Sequence, residues 1–70
     1  MTIDQLEFST FCIGNVADAL GMSQKQTYNM LRDSGILRDY IVKCYDVLHT
    51  YSRRYITEDL TSLMRERGVI

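Results

Sequence analysis

The chain has 70 residues, 46% of them hydrophobic and 24% charged, with no proline. This length predicts a single domain over residues 1–70, near the lower limit at which a hydrophobic core suffices unaided. The formal net charge of −1 argues against a general electrostatic attraction to nucleic acid or to an anionic membrane. No apolar stretch approaches the roughly 20 residues of a membrane span, so we expect a cytoplasmic protein without membrane contact.

The first predicted helix covers residues 3–20. Thr2 and Gln5 have the spacing of a capping box, and Gly21 suits the left-handed residue that ends a helix. Gly14 lies inside this helix and costs about 1 kcal/mol relative to Ala. The close approach of a second helix would explain this glycine.

The second predicted helix covers residues 24–34. Ser23 and Gln26 repeat the capping-box spacing, and Gly35 follows the helix. Most of its positions are polar, so we expect it to contribute less to the core than the first helix.

The third predicted helix covers residues 37–49 and forms the centre of the fold. Its apolar and aromatic residues recur at i, i+1, i+4, i+5 and i+8, which defines one helical face: Tyr40, Ile41, Cys44, Tyr45 and Leu48. Because this helix is so apolar in so short a chain, we expect the other helices to pack against it.

The last predicted helix covers residues 58–67, after a loop at 51–55. Thr57 is the expected N-cap and Gly68 the expected stop. The fold class is therefore all-α, a small bundle of about four helices. The predicted core is Phe11, Cys12, Val16, Leu31, Ile41, Cys44, Tyr45 and Leu48.

The two cysteines, Cys12 and Cys44, are too few for a disulfide framework and lack the spacing of a metal site. We interpret both as buried thiols in a reducing cytosol, with a disulfide between them as the less favoured alternative. No metal and no cofactor is expected.

The first two helices also resemble a helix-turn-helix. Ala17, Gly21 and Thr27 stand where that motif needs a small residue, a turn glycine and a small or branched residue, and they predict a helix-turn-helix-like crossing. In a DNA-binding protein, the candidate contacts would be Gln24, Lys25, Gln26 and Asn29. Any two helices that cross tightly need the same three residue types, so the pattern is not specific to DNA binding. The second helix also lacks the cluster of Lys and Arg that DNA-binding proteins usually carry.

A more extensive resemblance covers most of the chain. The run from Tyr40 to Thr50, with Phe11-Cys12-Ile13 before it and Tyr55-Ile56 after it, resembles a family of short, uncharacterised bacterial domains. The family often has Gln-Gly where this chain has Tyr51-Ser52. The resemblance implies no enzyme activity. It implies an accessory, immunity or regulatory role, since some members are encoded near ADP-ribosyltransferase-like proteins.

The hallmark of that family runs from Tyr45 to Thr50, and we interpret it as structural. Asp46 and His49 are spaced i, i+3 and can meet, with Asp46 expected to hold the His49 ring or the loop at 51–55. His49 and Thr50 are expected to satisfy free carbonyl groups at the helix end. Cys44 lies off the face of His49, which disfavours a nucleophilic pair.

The predicted function is a non-catalytic module that binds another protein or a second copy of itself. The candidate interface residues are Tyr28, Tyr51, Arg53 and Arg54, because Tyr and Arg are enriched at interface hot spots. A helix-turn-helix DNA-binding protein is the alternative. A small hydrolase or transferase that uses Cys44 or His49 is the least favoured class.

Overall fold

The computed structural model describes residues 1–70 and contains helices but no strand. Four α-helices and one π-helix follow in order: α1 (Ile3–Leu20), α2 (Gln24–Asp33), the π-helix (Leu37–Val42), α3 (Tyr45–Leu48) and α4 (Arg53–Glu66). The longest helix, α1, contacts α2, the π-helix and α4. The predicted all-α bundle is confirmed, with five helical segments in place of about four.

Local capping chemistry sets both ends of α1, as predicted. The Thr2 hydroxyl accepts from the Gln5 backbone N–H at 3.1 Å, and the Thr2 N–H donates to Gln5 Oε1 at 2.9 Å. Gly21 ends the helix with a φ of 65°, a conformation that glycine adopts without strain.

The start of α2 uses half of the predicted capping box. The Ser23 hydroxyl accepts from the Gln26 N–H at 3.0 Å, but no bond from the Gln26 side chain returns to Ser23. The helix ends at Asp33, one residue before the predicted end, and Gly35 follows with a φ of 83°.

The single central helix predicted at 37–49 is wrong. The chain instead forms the π-helix, two turn residues and the four-residue α3. The Lys43 N–H donates to the Arg38 carbonyl oxygen at 3.2 Å, which closes an i→i+5 ring. From α1, the Gln5 side-chain amide donates to the Val42 carbonyl oxygen at 3.5 Å. This long-range bond satisfies a backbone carbonyl group where the regular helical pattern changes. The spacing of apolar residues along the sequence does not predict such a bond.

The last helix begins at Arg53, five residues before the predicted start. Ser52 is its N-cap, and its hydroxyl accepts from the Tyr55 N–H at 3.1 Å. The predicted loop at 51–55 and the Thr57 cap are therefore wrong. Thr57 lies inside α4, where its hydroxyl donates to the Arg53 carbonyl oxygen at 2.7 Å. The earlier start is consistent with Ile56, which extends the buried stripe of α4 by one turn.

The core is formed by a connected cluster of apolar residues from every helical segment: Cys12, Val16, Leu31, Ile36, Ile41, Leu48, Ile56, Leu60 and Met64. Of the predicted core, Phe11 is 39% exposed, and Cys44 and Tyr45 are only half-buried. Their positions were predicted from apolar spacing alone, which gives a face but not the width of the strip that the neighbouring helices cover.

Candidate interaction surface

Four rings lie in contact across α1 and the segment that follows the π-helix. The Phe8 and Phe11 centroids are 6.3 Å apart, and Phe8 meets Tyr45 edge-on at 5.6 Å. Tyr45 in turn stacks on His49 at 4.5 Å with nearly parallel rings. Each of these separations lies within or close to the range of favourable aromatic pairs.

An arginine from α4 extends this series. The Arg53 guanidinium lies 5.9 Å from the Phe11 ring centroid, within cation–π range. No carboxylate lies within 4 Å of Arg53. We call the five residues Phe8, Phe11, Tyr45, His49 and Arg53 the aromatic surface.

The His49 side chain also closes the end of α3. Its Nδ1 lies 2.7 Å from the Tyr45 carbonyl oxygen. Because a carbonyl oxygen can only accept, Nδ1 is the protonated nitrogen in this contact. The Thr50 hydroxyl donates to the Val47 carbonyl oxygen at 2.6 Å. These bonds are the kind that the structural interpretation of the motif requires.

The expected role of Asp46 is not found. Its side chain is exposed, and no hydrogen bond or ion pair joins it to His49 or to residues 51–55. The His49 ring is held instead by its stacking on Tyr45 and by its bond to the Tyr45 backbone.

The two cysteines are both free thiols, so the structure contains no Cys12–Cys44 disulfide. Cys12 is fully buried in the core, and this burial raises the pKa of its thiol from 9.0 to about 12. A thiol held in this protonated form is a poor nucleophile. Cys44 is half-buried and makes no hydrogen bond to His49. No three acidic, His or Cys side chains lie together as a metal site would require.

The four predicted interface residues occupy different surroundings. Tyr28 lies on α2, with the Arg32 guanidinium 5.4 Å from its ring centroid. Tyr51 is half-buried and packs against the core cluster and against Tyr55, 4.6 Å away.

The two arginines also differ. Arg54 makes an exposed ion pair with Glu58 at 3.3 Å, whereas Arg53 faces Phe11. Of the four predicted interface residues, only Arg53 therefore joins the aromatic surface. Sequence reasoning did not predict that Arg53 would meet Phe11, since the two residues are far apart in the chain and nothing local records their contact.

The predicted DNA contacts cluster at the start of α2. Gln24, Lys25 and Gln26 are exposed, whereas Asn29 is half-buried. The other cation of α2 is Arg32, whose Nε donates to Asp33 Oδ1 at 2.9 Å. Lys25 is therefore the cation of α2 that has no acidic partner.

One comparison with known proteins gives a match. A family model described as "Protein of unknown function (DUF3791)" matches residues 7–67. No curated protein and no solved structure matches the chain significantly. In the structure itself, none of the helices combines the length and hydropathy needed to cross a membrane.

Proposed function

The chain belongs to the DUF3791 family, described as proteins of unknown function, and we propose that it is a non-catalytic module that binds another protein. The single observation that carries this proposal is the aromatic surface, with the Arg53 guanidinium over a partly exposed Phe11. Aromatic residues and Arg are enriched at interface hot spots.

The geometry of the aromatic surface favours binding because its side chains are already held in place. Phe8 contacts both Phe11 and Tyr45, and His49 is fixed by a stacked ring and a hydrogen bond. Immobilising a free side chain at an interface costs roughly 0.5–1.5 kcal/mol. Side chains that are already ordered avoid much of this cost.

The partner that we propose is a separate protein in the bacterial cytoplasm. The resemblance described above favours an accessory or regulatory role beside an ADP-ribosyltransferase-like protein. A second copy of the chain is the other candidate, since two-fold dimers are the commonest soluble assembly. Arg53, which has no carboxylate nearby, favours a partner that presents an acidic group to this surface.

The test is quantitative affinity capture from the native host. The parent chain is compared with Phe11→Ser and Arg53→Gln, and with Lys25→Gln as a control outside the aromatic surface. We expect one host protein to be retained by the parent and the control but depleted about tenfold or more with either surface variant. Sedimentation of the purified chain decides whether that partner is a second copy.

The proposal fails if all four proteins retain the same set of host proteins in equal amounts. Circular dichroism must show that the two surface variants are folded. Phe11 is 39% exposed and Arg53 is exposed, so we expect both variants to keep the helical signal of the parent.

A helix-turn-helix DNA-binding protein is the second candidate, favoured by how α1 meets α2. Ala17 is 1% exposed, Thr27 is fully buried, and Gly21 has a φ of 65° between them. These are the packing roles that the motif assigns to its three positions, and they support the proposal of a helix-turn-helix-like crossing. The charge of α2 argues against DNA binding, since phosphate contacts need Lys and Arg.

A gel shift at low salt separates the two functions. Duplex DNA from the region upstream of the gene is the probe, with Lys25→Ala and Gln24→Ala as variants. We expect no binding at micromolar protein concentrations. Tight binding that both variants abolish would establish the helix-turn-helix function in place of the first proposal.

A further inference from the structure

A groove of about 650 Å³ lies where α2 gives way to the π-helix. It falls within the range of small-molecule pockets, roughly 300–1,000 Å³. Tyr28 and Arg32 line it from α2, and Leu37, Arg38, Asp39 and Val42 line it from the π-helix. None of these residues belongs to the aromatic surface, so the groove is a separate feature.

The charged groups of the groove differ in whether they already have partners. Arg32 is ion-paired with Asp33 at 2.9 Å, and its guanidinium also covers the Tyr28 ring. Arg38 is exposed, and no carboxylate lies within 4 Å of its nitrogens. Its guanidinium offers five N–H donors in a planar fork that matches a carboxylate.

Asp39 is the other charged side chain of the groove that has no partner. Its side chain makes no hydrogen bond or ion pair, and Oδ2 lies 3.2 Å from where a Cβ on Gly35 would be. The charged side chains of the lining cancel, with Arg32 and Arg38 against Asp33 and Asp39, and Met1, which carries an amino group, also lines the groove. Arg38 is the arginine of the lining without an acidic partner, so it can receive a ligand anion, which the Asp39 carboxylate opposes.

The groove also contains apolar surface next to Arg38. Leu37 and Val42 are half-buried, and Tyr28 is 40% exposed. The wall that carries Leu37, Arg38 and Val42 is the π-helix, an element that is rare in proteins and frequent at functional sites. The π-helix therefore contributes two apolar side chains and an unpaired guanidinium to the same groove.

We propose that this groove binds a carboxylate carried on an aliphatic group. Arg38 receives the carboxylate through two N–H···O bonds, and Leu37 and Val42 contact the aliphatic part. The chemistry is shared by a small aliphatic acid and by a peptide that ends in an aliphatic residue. This inference does not rest on the aromatic surface, and either proposal can fail alone.

The test is an NMR titration of the ¹⁵N-labelled full chain. The probes are N-acetyl-leucine, its amide N-acetyl-leucinamide, and an acetylated tripeptide that ends in leucine. We expect saturable shifts of the Gly35, Leu37 and Val42 amide signals with the acid, with a dissociation constant on the order of 1 mM. The amide should bind about tenfold more weakly or not at all.

Two neighbouring residues give matched variants with opposite expected effects. Arg38→Gln should weaken binding of the acid about tenfold, and Arg38→Lys should weaken it less because it keeps the charge. Asp39→Asn should strengthen binding by removing the opposing charge. Both residues are exposed, so the folded signals of the variants should match those of the parent elsewhere.

If the acid causes no shifts up to about 20 mM, or if acid and amide cause equal shifts, the carboxylate site is refuted. Unchanged affinity in Arg38→Gln, or weaker binding in Asp39→Asn, also overturns it. If the acid binds, the ratio of the tripeptide and N-acetyl-leucine affinities shows which source of the carboxylate the groove prefers.

Discussion

The Tyr40 hydroxyl donates to the Asp59 carboxylate at 2.5 Å, which joins the π-helix to α4 across 19 residues of sequence. Burial of the phenol, and next the bond to Asp59, raise the pKa of Tyr40 above its ordinary 10.0. Both residues are half-buried. The bond therefore fixes the segment of unusual backbone against the last helix of the fold.

Tyr40→Phe should destabilise the fold. The change removes the hydroxyl and leaves Asp59 half-buried without its donor, a loss of about 1.5–3 kcal/mol for a hydrogen bond to a charged group. Urea unfolding measures the difference. Tyr55→Phe is the matched control, since that ring is 57% exposed and its hydroxyl makes no hydrogen bond, and we expect a change within about 0.5 kcal/mol. Equal effects of the two variants would contradict the role of the Tyr40–Asp59 bond.

The free energy of unfolding should fall as the pH rises above about 9. The folded state holds the protons of Cys12 and Tyr40 more tightly than the unfolded chain does, because both pKa values are raised on folding. Their contribution is present in full below the unfolded pKa values of 9.0 and 10.0 and is lost as the pH rises through the folded values.

Urea unfolding at a series of alkaline pH values checks this dependence. Cys12→Ala should reduce the slope from pH 9 upwards, and Tyr40→Phe should reduce it above pH 10, whatever their stabilities at neutral pH. A slope that both variants leave unchanged would show that other groups govern the alkaline loss.

Two glycines should respond to alanine in opposite directions. A Cβ at Gly14 would lie 3.8 Å from Gln24 Nε2, an ordinary contact, and α1 would gain the helix propensity of Ala. Gly14→Ala should therefore stabilise the fold by about 0.5–1 kcal/mol. The nearest atom belongs to a side chain of α2 at an ordinary distance, so a close approach of the second helix does not explain this glycine.

Gly35→Ala should destabilise the fold by about 1–2 kcal/mol, the cost of a left-handed conformation for a residue with a side chain. Its φ is 83°, and a Cβ there would lie 3.2 Å from Asp39 Oδ2. Thermal melting followed by circular dichroism compares the two variants, and melting temperatures that shift in the same direction would refute this pair of predictions.

Ile41→Ala and Leu48→Ala should each destabilise the fold by roughly 2–5 kcal/mol, because each leaves a cavity in the core. Ile41 is fully buried and Leu48 is 1% exposed. Val47→Ala is the control within the same segment, since Val47 is 57% exposed, and should change stability by less than about 0.5 kcal/mol. Losses below about 1 kcal/mol at Ile41 or Leu48 would be inconsistent with this core.

The parts of the fold that local chemistry decides could be predicted from the sequence. Thr2, Gly21 and Ser23 act within a few residues of themselves, so the ends of α1 and the start of α2 follow from their capping and turn chemistry. The start of α4 was predicted too late, at Thr57, although Ser52 is also a residue type that caps helices. Burial of Ile56 by distant residues favours the earlier start.

The π-helix and the aromatic surface depend on contacts between distant residues. The apolar spacing from Tyr40 to Leu48 fits an unbroken α-helix, whereas Gln5 and Asp59 bond to residues of the π-helix from elsewhere in the chain. In the same way, Phe11 has the spacing of a core residue, but its ring is 39% exposed and lies beneath Arg53. The sequence predicted Arg53 as an interface residue but did not predict its contact with Phe11.

The i→i+5 ring from Arg38 to Lys43 contains one more residue than an α-helical turn. Removal of a single residue within this turn can therefore restore i→i+4 bonding while α2 and α4 keep their places. Related chains that differ by one residue here can share the same bundle, but they would present different side chains to the groove. Length variation at this turn would thus alter the chemistry of the groove without altering the fold.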